Sequence, residues 1–200
     1  MPSKEREYRS MTLAIEERAE GEEQERMVVS GYASTFDDPY KLWEDDGVEV
    51  WEKVDRSAFD ETDMSDVIMQ YDHEGRIFAR QSNGTLELSV DAHGLKVRAD
   101  LSKTEGARQL YEDIKSGMVT QMSFAFSIQE DAYDKEEHLR TVTKIRKLYD
   151  VSAVSIPANP GTEIQARSFF DGVIEAERAE RLAAEERERK VKELRLRLSL

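Results

Sequence analysis

The stretch Met122-Ser123-Phe124-Ala125-Phe126-Ser127-Ile128 decides the fold, because large and small side chains alternate along it without interruption. Alternation with a period of two is typical of a β-strand, in which successive side chains point to opposite faces of the sheet. One face of this strand is large and apolar, and the other carries only serine and alanine. The small face leaves space above the Ser123 hydroxyl for an imidazole ring or a substrate carbonyl group.

The same kind of pattern predicts further short strands on both sides of this stretch, over 11–15, 27–36, 48–54, 67–73, 86–90, 95–101, 140–148 and 149–156. The four residues from Asp91 to Gly94 separate two of them and predict a β-hairpin. Apolar residues at helical spacing from Ala107 predict a helix over 104–116. Ser57, a favourable N-cap residue, predicts a short helix over 57–65. We therefore expect a mainly β protein with α (α+β), a pattern typical of a barrel or sandwich.

Three segments of different character follow one another along the chain. Residues 1–10 are polar and are expected to form a mobile N-terminal segment, and residues 11–170 hold the predicted strands of one folded domain. Residues 171–200 are rich in Ala, Glu, Arg and Leu, which predicts a charged helical C-terminal tail with a thin apolar stripe. Two interpretations of this tail remain open, a solvated terminal helix and a helix that docks or oligomerises.

Acidic residues are concentrated in one window of the chain. The 200 residues carry a formal net charge of −14, and the stretch Asp37–Glu74 holds 14 acidic and 3 basic residues. No basic stripe is available to neutralise phosphates, so direct nucleic-acid binding is not expected. No apolar run is long enough to span a bilayer, no signal peptide is visible, and no cysteine is present for disulfides or thiol catalysis. The simplest expectation is an intracellular, soluble protein.

Only three histidines are available for acid–base chemistry. His138 lies in a polar loop, and His93 lies in a hairpin turn before Gly94, where a histidine tolerates positive φ. His73 differs, because it ends a predicted strand whose neighbours on the same face are apolar or aromatic, and because Asp72 and Glu74 flank it. Burial would lower its pKa and a nearby carboxylate would raise it, so a catalytic and a structural role both remain open.

Ser123 and Asp150 are the other two candidates. A serine nucleophile needs a base within hydrogen-bond reach, and that base needs an orienting group. Ser123 is alternatively an ordinary serine on the exposed face of an amphipathic strand. Asp150 lies in an otherwise apolar or small strand, where an unpaired carboxylate is costly. A protonated His73 would satisfy it, and so would a structural salt bridge with Lys144 or Arg146.

Several short segments carry a resemblance to a known family. They are Gly31-Tyr32-Ala33-Ser34-Thr35-Phe36, Ser57-Ala58-Phe59, Val67 to His73, Asn83-Gly84-Thr85-Leu86, Gly94-Leu95, Met122-Ser123-Phe124-Ala125-Phe126, Asp150-Val151-Ser152 and Ile156-Pro157-Ala158-Asn159-Pro160. In this order they resemble the tailed-phage prohead (head maturation) serine proteases, which are related in fold to the herpesvirus assemblins. The resemblance covers about residues 11–170 and leaves 171–200 uncovered.

The resemblance implies an assemblin-like fold, a closed or partly closed barrel of about seven mostly antiparallel strands with flanking helices. Residues 11–170 would then be a protease domain with an acyl-enzyme mechanism. Ser123 is implied as the nucleophile, His73 as the general base and Asp150 as the orienting third member. The family usually has Glu at the position of Asp150, and the assemblins use a second histidine, for which His93 is the candidate here.

The resemblance also implies partners and a place of action. The expected substrates are the scaffold protein, or the scaffold-like segment of the major capsid protein, and the protease itself. The expected location is the host cytoplasm, inside the immature phage head (prohead), and the expected state is a homodimer without a cofactor or metal. Two other functions remain possible on the sequence, a catalytically inactive capsid assembly scaffold or chaperone with the same fold, and a small-ligand-binding β-barrel.

Overall fold

The computed structural model describes residues 6–15, 27–45, 47–155 and 178–193. The chain divides into two compact units, Met1–Glu163 and Ile164–Leu200. The described part of the first unit contains β1 (Glu7–Ile15), β2 (Val28–Thr35), β3 (Tyr40–Asp45), β4 (Val48–Val54), β5 (Ile68–Tyr71), β6 (Glu74–Arg80), a 3-10 turn (Gln81–Asn83), β7 (Leu86–Val90), β8 (Gly94–Asp100), α1 (Glu105–Lys115), β9 (Gln121–Asp134) and β10 (Leu139–Val154). The described part of the second unit is a helix over 178–193, α2, whose residues are all exposed.

One of the two predicted domain limits falls on residues outside this description, and the other falls inside a strand. The limit at 170/171 lies within 156–177, which the structure does not describe, and it stays a prediction. The strand expected over 11–15 begins earlier, at Glu7, so 7–10 belong to β1. The mobility expected of the segment 1–10 stays a prediction. Within the described residues, no helix has both the length and the apolar character needed to cross a membrane.

The two longest strands, β9 and β10, form the centre of one ten-stranded sheet. They pair antiparallel from Leu139–Asp134 to Val154–Gln121, and the order of strands along the sheet is β3-β4-β10-β9-β1-β2-β8-β7. β5 pairs with β10 and carries β6 as its other neighbour. Most pairings are antiparallel, as predicted, but β10 pairs parallel with both β4 and β5.

The expected closed or partly closed barrel of about seven strands is wrong: the described residues form an open sheet of ten strands. Closing a sheet requires its two edge strands to pair, and here β3 and β7 lie at opposite ends of the strand order. The sheet branches instead, because β10 is longer than its partners on one side. Residues 139–142 of β10 pair with β4, and residues 150–153 pair with β5.

Three further predictions about secondary structure differ from the observed elements. The short helix predicted over 57–65 is wrong, because this segment forms turns and an isolated β-bridge from Asp63 to Lys147. Ser57 donates from its backbone N–H and its Oγ to the Asp55 carboxylate, at 2.9 and 2.6 Å, and therefore does not cap a helix. The strands β3 and β6 were not predicted. The two strands predicted over 140–148 and 149–156 are one strand, β10, up to Val154.

The helix predicted over 104–116 is confirmed as α1. Thr104 caps it, since its Oγ1 accepts a hydrogen bond from the Ala107 N–H at 3.1 Å. The buried face is the predicted one, with Ala107, Leu110, Tyr111 and Ile114. Gly117 follows the helix with a φ of 77°, the left-handed conformation that commonly ends helices.

The large face of β9 packs into the hydrophobic core, as its alternation predicts. All four of its large residues are buried in the core: Met122, Phe124, Phe126 and Ile128. The rings of Phe124 and Phe126 stack with their centroids 4.7 Å apart. The opposite, small face of β9 is also buried, which the sequence did not indicate.

A buried charge cluster of Glu7, Arg9, Glu52 and Arg140 joins β1, β4 and β10. Arg9 Nε lies 2.6 Å from Glu52 Oε1, and Arg140 Nη1 lies 2.9 Å from Glu7 Oε2 and 3.0 Å from Glu52 Oε2. The Tyr40 hydroxyl also donates to Glu52. Because an unpaired buried charge costs several kcal/mol, two acids and two bases must be buried together.

The cluster shifts the pKa of its carboxylate at the centre. Burial alone would raise the pKa of Glu52, but the positive charges of Arg9 and Arg140 outweigh it and lower the pKa from 4.5 to about 2. A carboxylate with a lowered pKa contributes stability above its unfolded pKa and loses it as the pH falls toward its folded pKa. The contribution of Glu52 is therefore present above pH 4.5 and is lost between pH 4.5 and about 2.

Replacing Glu52→Gln should lower the free energy of unfolding by about 3–5 kcal/mol at pH 7, because it removes the carboxylate that Arg9 and Arg140 share and leaves their buried charges only partly compensated by Glu7. The variant should also lose part of the acid dependence of stability below pH 4.5. Urea unfolding at pH 7 and pH 3 measures both effects. Glu44→Gln removes an exposed carboxylate near Lys41 and should change the stability by less than about 0.5 kcal/mol. Equal effects of the two variants would contradict a structural role for the cluster.

Candidate active site

His73 lies in the tight turn between β5 and β6. Tyr71 pairs with Glu74, so Asp72 and His73 form a two-residue hairpin loop. Both have positive φ, 49° for Asp72 and 59° for His73, as the loop of a type I′ turn requires. Residues other than glycine seldom adopt this conformation, which costs about 1–2 kcal/mol for each.

Contacts with the end of β10 hold this turn in place. The Asp72 N–H donates to the Ala153 carbonyl at 2.9 Å. The Asp72 carboxylate accepts hydrogen bonds from the N–H and the Oγ of Ser155, at 2.8 and 2.7 Å. These bonds offset the strain of the left-handed residues and fix the place of His73 relative to β10.

A β-bulge in β10 determines where Asp150 points. Leu148 lies opposite Phe126 and Asp150 lies opposite Ala125, so Tyr149 is an extra residue in the ladder. In a regular strand Asp150 would share the core face with Leu148. The bulge turns Asp150 onto the small face of β9 instead, which is a known use of bulges next to functional sites.

His73 and Asp150 meet at hydrogen-bond distance. His73 Nδ1 lies 2.6 Å from Asp150 Oδ1, and the two side chains are 17% and 3% exposed. Since an ionised carboxylate only accepts, this hydrogen bond requires a proton on Nδ1, and in the neutral tautomer with that proton Nε2 is the acceptor. The ring of Tyr8 packs edge-on against the imidazole, with the centroids 4.5 Å apart. The Asp150 carboxylate thus reaches the position that would orient a histidine base.

Ser123 lies in the middle of the sheet, on the small face of β9. Its pairing partners are Ser152 on β10 and Ser10 on β1. The residue is 1% exposed, so it is not a serine on an exposed strand face. Its Oγ has no hydrogen-bond partner among the residues that the structure describes. The structure therefore brings His73 to Asp150 and places Ser123 on the neighbouring strand, without a hydrogen bond from Ser123 to either.

The family of the chain follows from comparison with known proteins. A family model of the caudovirus prohead serine proteases matches residues 13–173. The chain belongs to this family. The family predicted from the short sequence segments is confirmed. No curated protein matches the chain significantly. The solved structure of the bacteriophage T4 capsid assembly protease, gp21, is similar over 76% of this chain and 98% of that chain, with 10% identity and a TM-score of 0.48.

The other two histidines of this prohead protease family member lie away from Asp150. The His93 ring packs edge-on against Tyr32, with the centroids 4.5 Å apart, at the β7–β8 hairpin. His138 contacts the Tyr133 hydroxyl at 3.2 Å. Positive φ occurs at His73 and His138, whereas the sequence suggested it for His93. Lys144, a candidate salt-bridge partner of Asp150, pairs with Glu61 and Glu130 instead.

Sequence reasoning did not single out Ser152 as a site residue. Its Oγ donates to Asp150 Oδ1 at 2.7 Å, and the residue is fully buried. The signal was present in the chain, because residues i and i+2 of a strand share one face. Ser152 therefore had to lie on the same face as Asp150.

The Asp72–Ser155 contacts predict a measurable role for Asp72. Replacing Asp72→Ala should lower the free energy of unfolding by about 1–3 kcal/mol, because it removes two hydrogen bonds and leaves a left-handed residue that lacks a polar side chain. Asp72→Asn should lose less, since asparagine keeps one acceptor oxygen and tolerates positive φ. Thermal and urea unfolding check the order of the variants. Glu74→Ala, on the other side of His73, is the control, and a loss as large as that of Asp72→Ala would contradict the prediction.

Proposed function

We propose that the chain is a serine endopeptidase in which Ser123 is the nucleophile, His73 the general base and Asp150 the group that orients His73. The observation that carries this proposal is the 2.6 Å contact of His73 Nδ1 with Asp150, next to a buried serine whose hydroxyl has no partner among the described residues. Membership of the prohead serine protease family supports the same assignment.

The register of the sheet supports the pairing of His73 with Ser123. Asp150 lies opposite Ala125, two residues along β9 from Ser123. Such diagonal neighbours lie about 7–8 Å apart, a span that an imidazole bound to the carboxylate through Nδ1 can bridge with Nε2. Bonds between a catalytic base and its nucleophile are often long before substrate binds and tighten in the complex.

The chemistry is acyl transfer in two steps. Ser123 Oγ attacks the carbonyl carbon of the scissile peptide, and its proton passes to Nε2 of His73. His73 gives this proton to the leaving nitrogen as the C–N bond breaks, which leaves an ester on Ser123. His73 then removes a proton from water, the hydroxide hydrolyses the ester, and the proton returns to Ser123. Asp150 holds the imidazole in the required tautomer and stabilises the imidazolium that forms.

The substrates that we propose are the scaffold protein or the scaffold segment of the major capsid protein, and the protease itself. This proposal rests on the family, whose members are described as prohead proteases. The site of action is then the interior of the prohead in the host cytoplasm. The resemblance to the assemblins supports a homodimer, and a strict monomer in sedimentation velocity at high concentration, with full activity, would refute that part of the proposal.

The direct test replaces Ser123→Ala and mixes the purified variant with the major capsid and scaffold proteins encoded by the same phage. Cleavage should fall below detection, a loss in kcat on the order of 10⁶, because no nucleophile remains. Gel electrophoresis and intact-mass spectrometry measure the products and any self-cleavage. Ser127→Ala is the matched control, since Ser127 lies on the same face of β9 and is equally buried.

Two results would overturn the assignment. Cleavage by Ser123→Ala at the rate of the unchanged chain would remove Ser123 from the reaction. Intact substrate after incubation with the unchanged chain, together with intact chain inside assembled heads, would favour the inactive scaffold or chaperone.

A further inference from the structure

Two buried serines face each other across β9 and β10, and their hydroxyl groups differ in hydrogen bonding. Ser123 and Ser152 are direct partners in the ladder, so both side chains lie on the same face of the sheet. Both are at most 1% exposed. The Ser152 hydroxyl donates to Asp150 Oδ1 at 2.7 Å, whereas Ser123 Oγ has no partner among the described residues.

The Asp150 oxygen that accepts from Ser152 is the one that contacts His73. Oδ1 lies 2.6 Å from His73 Nδ1 and 2.7 Å from Ser152 Oγ. A carboxylate held by one hydrogen bond rotates about its Cβ–Cγ bond, and a second donor on the same oxygen restricts that rotation. Hydrogen bonds to a charged acceptor are stronger than those between neutral groups.

The backbone pairing around Ser152 restricts the direction of its side chain. β10 is paired on both sides at this point, with Ser123 on β9 and with Gln70 on β5, so the Cα–Cβ direction of Ser152 is fixed. Buried hydroxyl groups nearly always find a hydrogen-bond partner. For Ser152 that partner is the carboxylate two residues earlier on the same face.

We propose that Ser152 is a positioning residue that holds the Asp150 carboxylate toward His73 and leaves Ser123 as the serine that reacts. This inference rests on the proposed function. Because Ser152 acts through Asp150, it should affect the chemical step and leave substrate binding unchanged. Its hydroxyl proton is engaged by the carboxylate, so Ser152 is a poor candidate for the nucleophile.

The test compares the kinetics of Ser152→Ala with those of the unchanged chain on one peptide substrate. We expect kcat to fall about tenfold with KM unchanged, the size expected for the loss of one hydrogen bond to a charged group. Ser152→Thr keeps an oxygen at the same position and should restore part of kcat. An unchanged kcat in Ser152→Ala would overturn the proposal, whether or not KM rises.

If Ser152→Ala lowers stability, a double-mutant cycle with Asp150 still measures whether the two residues act together on kcat. If Ser152 acts through Asp150, Ser152→Ala should have little further effect on kcat once Asp150→Ala is present. Independent, multiplying effects would refute the proposal. Thermal melts of all four proteins identify any variant that does not fold, and for such a variant the cycle is repeated with Asp150→Asn and Ser152→Thr.

Labelling with a fluorophosphonate, followed by peptide mass spectrometry, separates this inference from the proposed function. Label on Ser123 in the unchanged chain, slower in Ser152→Ala, supports both. Label on Ser123 at the same rate in both proteins overturns the role of Ser152 alone. Label on Ser152 overturns both assignments.

Discussion

The pairing register of β9 with β10 is the constraint on which the candidate site depends. These strands share the longest ladder of the sheet, and the bulge at Tyr149 changes which face of β10 meets which face of β9. Without the bulge, Asp150 would point into the apolar core, where an unpaired carboxylate is costly. With it, Asp150 shares a face with Ser123, and β5, which leads into the turn that carries His73, pairs with the same end of β10.

Buried charges on the other face of the same sheet hold β1, the strand that places Tyr8 against His73. Glu7 and Arg9 of β1 point into the buried charge cluster, which ties the strand to Glu52 and Arg140. Tyr8 lies between them and therefore projects to the opposite face, where its ring packs against His73. The buried charges thus fix a strand that forms one wall of the histidine site.

Local patterns in the sequence predicted those structural features that depend only on residues close together in the chain. The alternation along β9 and the buried face of α1 follow from periodicity. The sequence surroundings of His73, Ser123 and Asp150 made them candidates, and the family resemblance implied a catalytic role for each. The left-handed turn at His73, the open sheet and the buried charge cluster depend on residues far apart in the chain, which no local window contains. One signal was available but unused. Apolar residues at Ile145, Leu148 and Val151 repeat every three positions, and a regular strand repeats every two, so bulges in β10 were predictable.

The acidic window shows why charge along the chain differs from charge in space. Several of its carboxylates pair with bases that lie outside the window, such as Asp66 with Arg80 and Asp63 with Lys147. Glu52 is neutralised inside the protein by arginines from β1 and β10. Part of the negative charge of the window is therefore compensated by bases from other parts of the chain. The carboxylates nearest to His73 in sequence, Asp72 and Glu74, are exposed, and screening by salt acts most strongly on such exposed groups. The electrostatic environment of this site therefore depends on which carboxylates lie near His73 in space, such as Asp150, and the net charge of the chain does not give it.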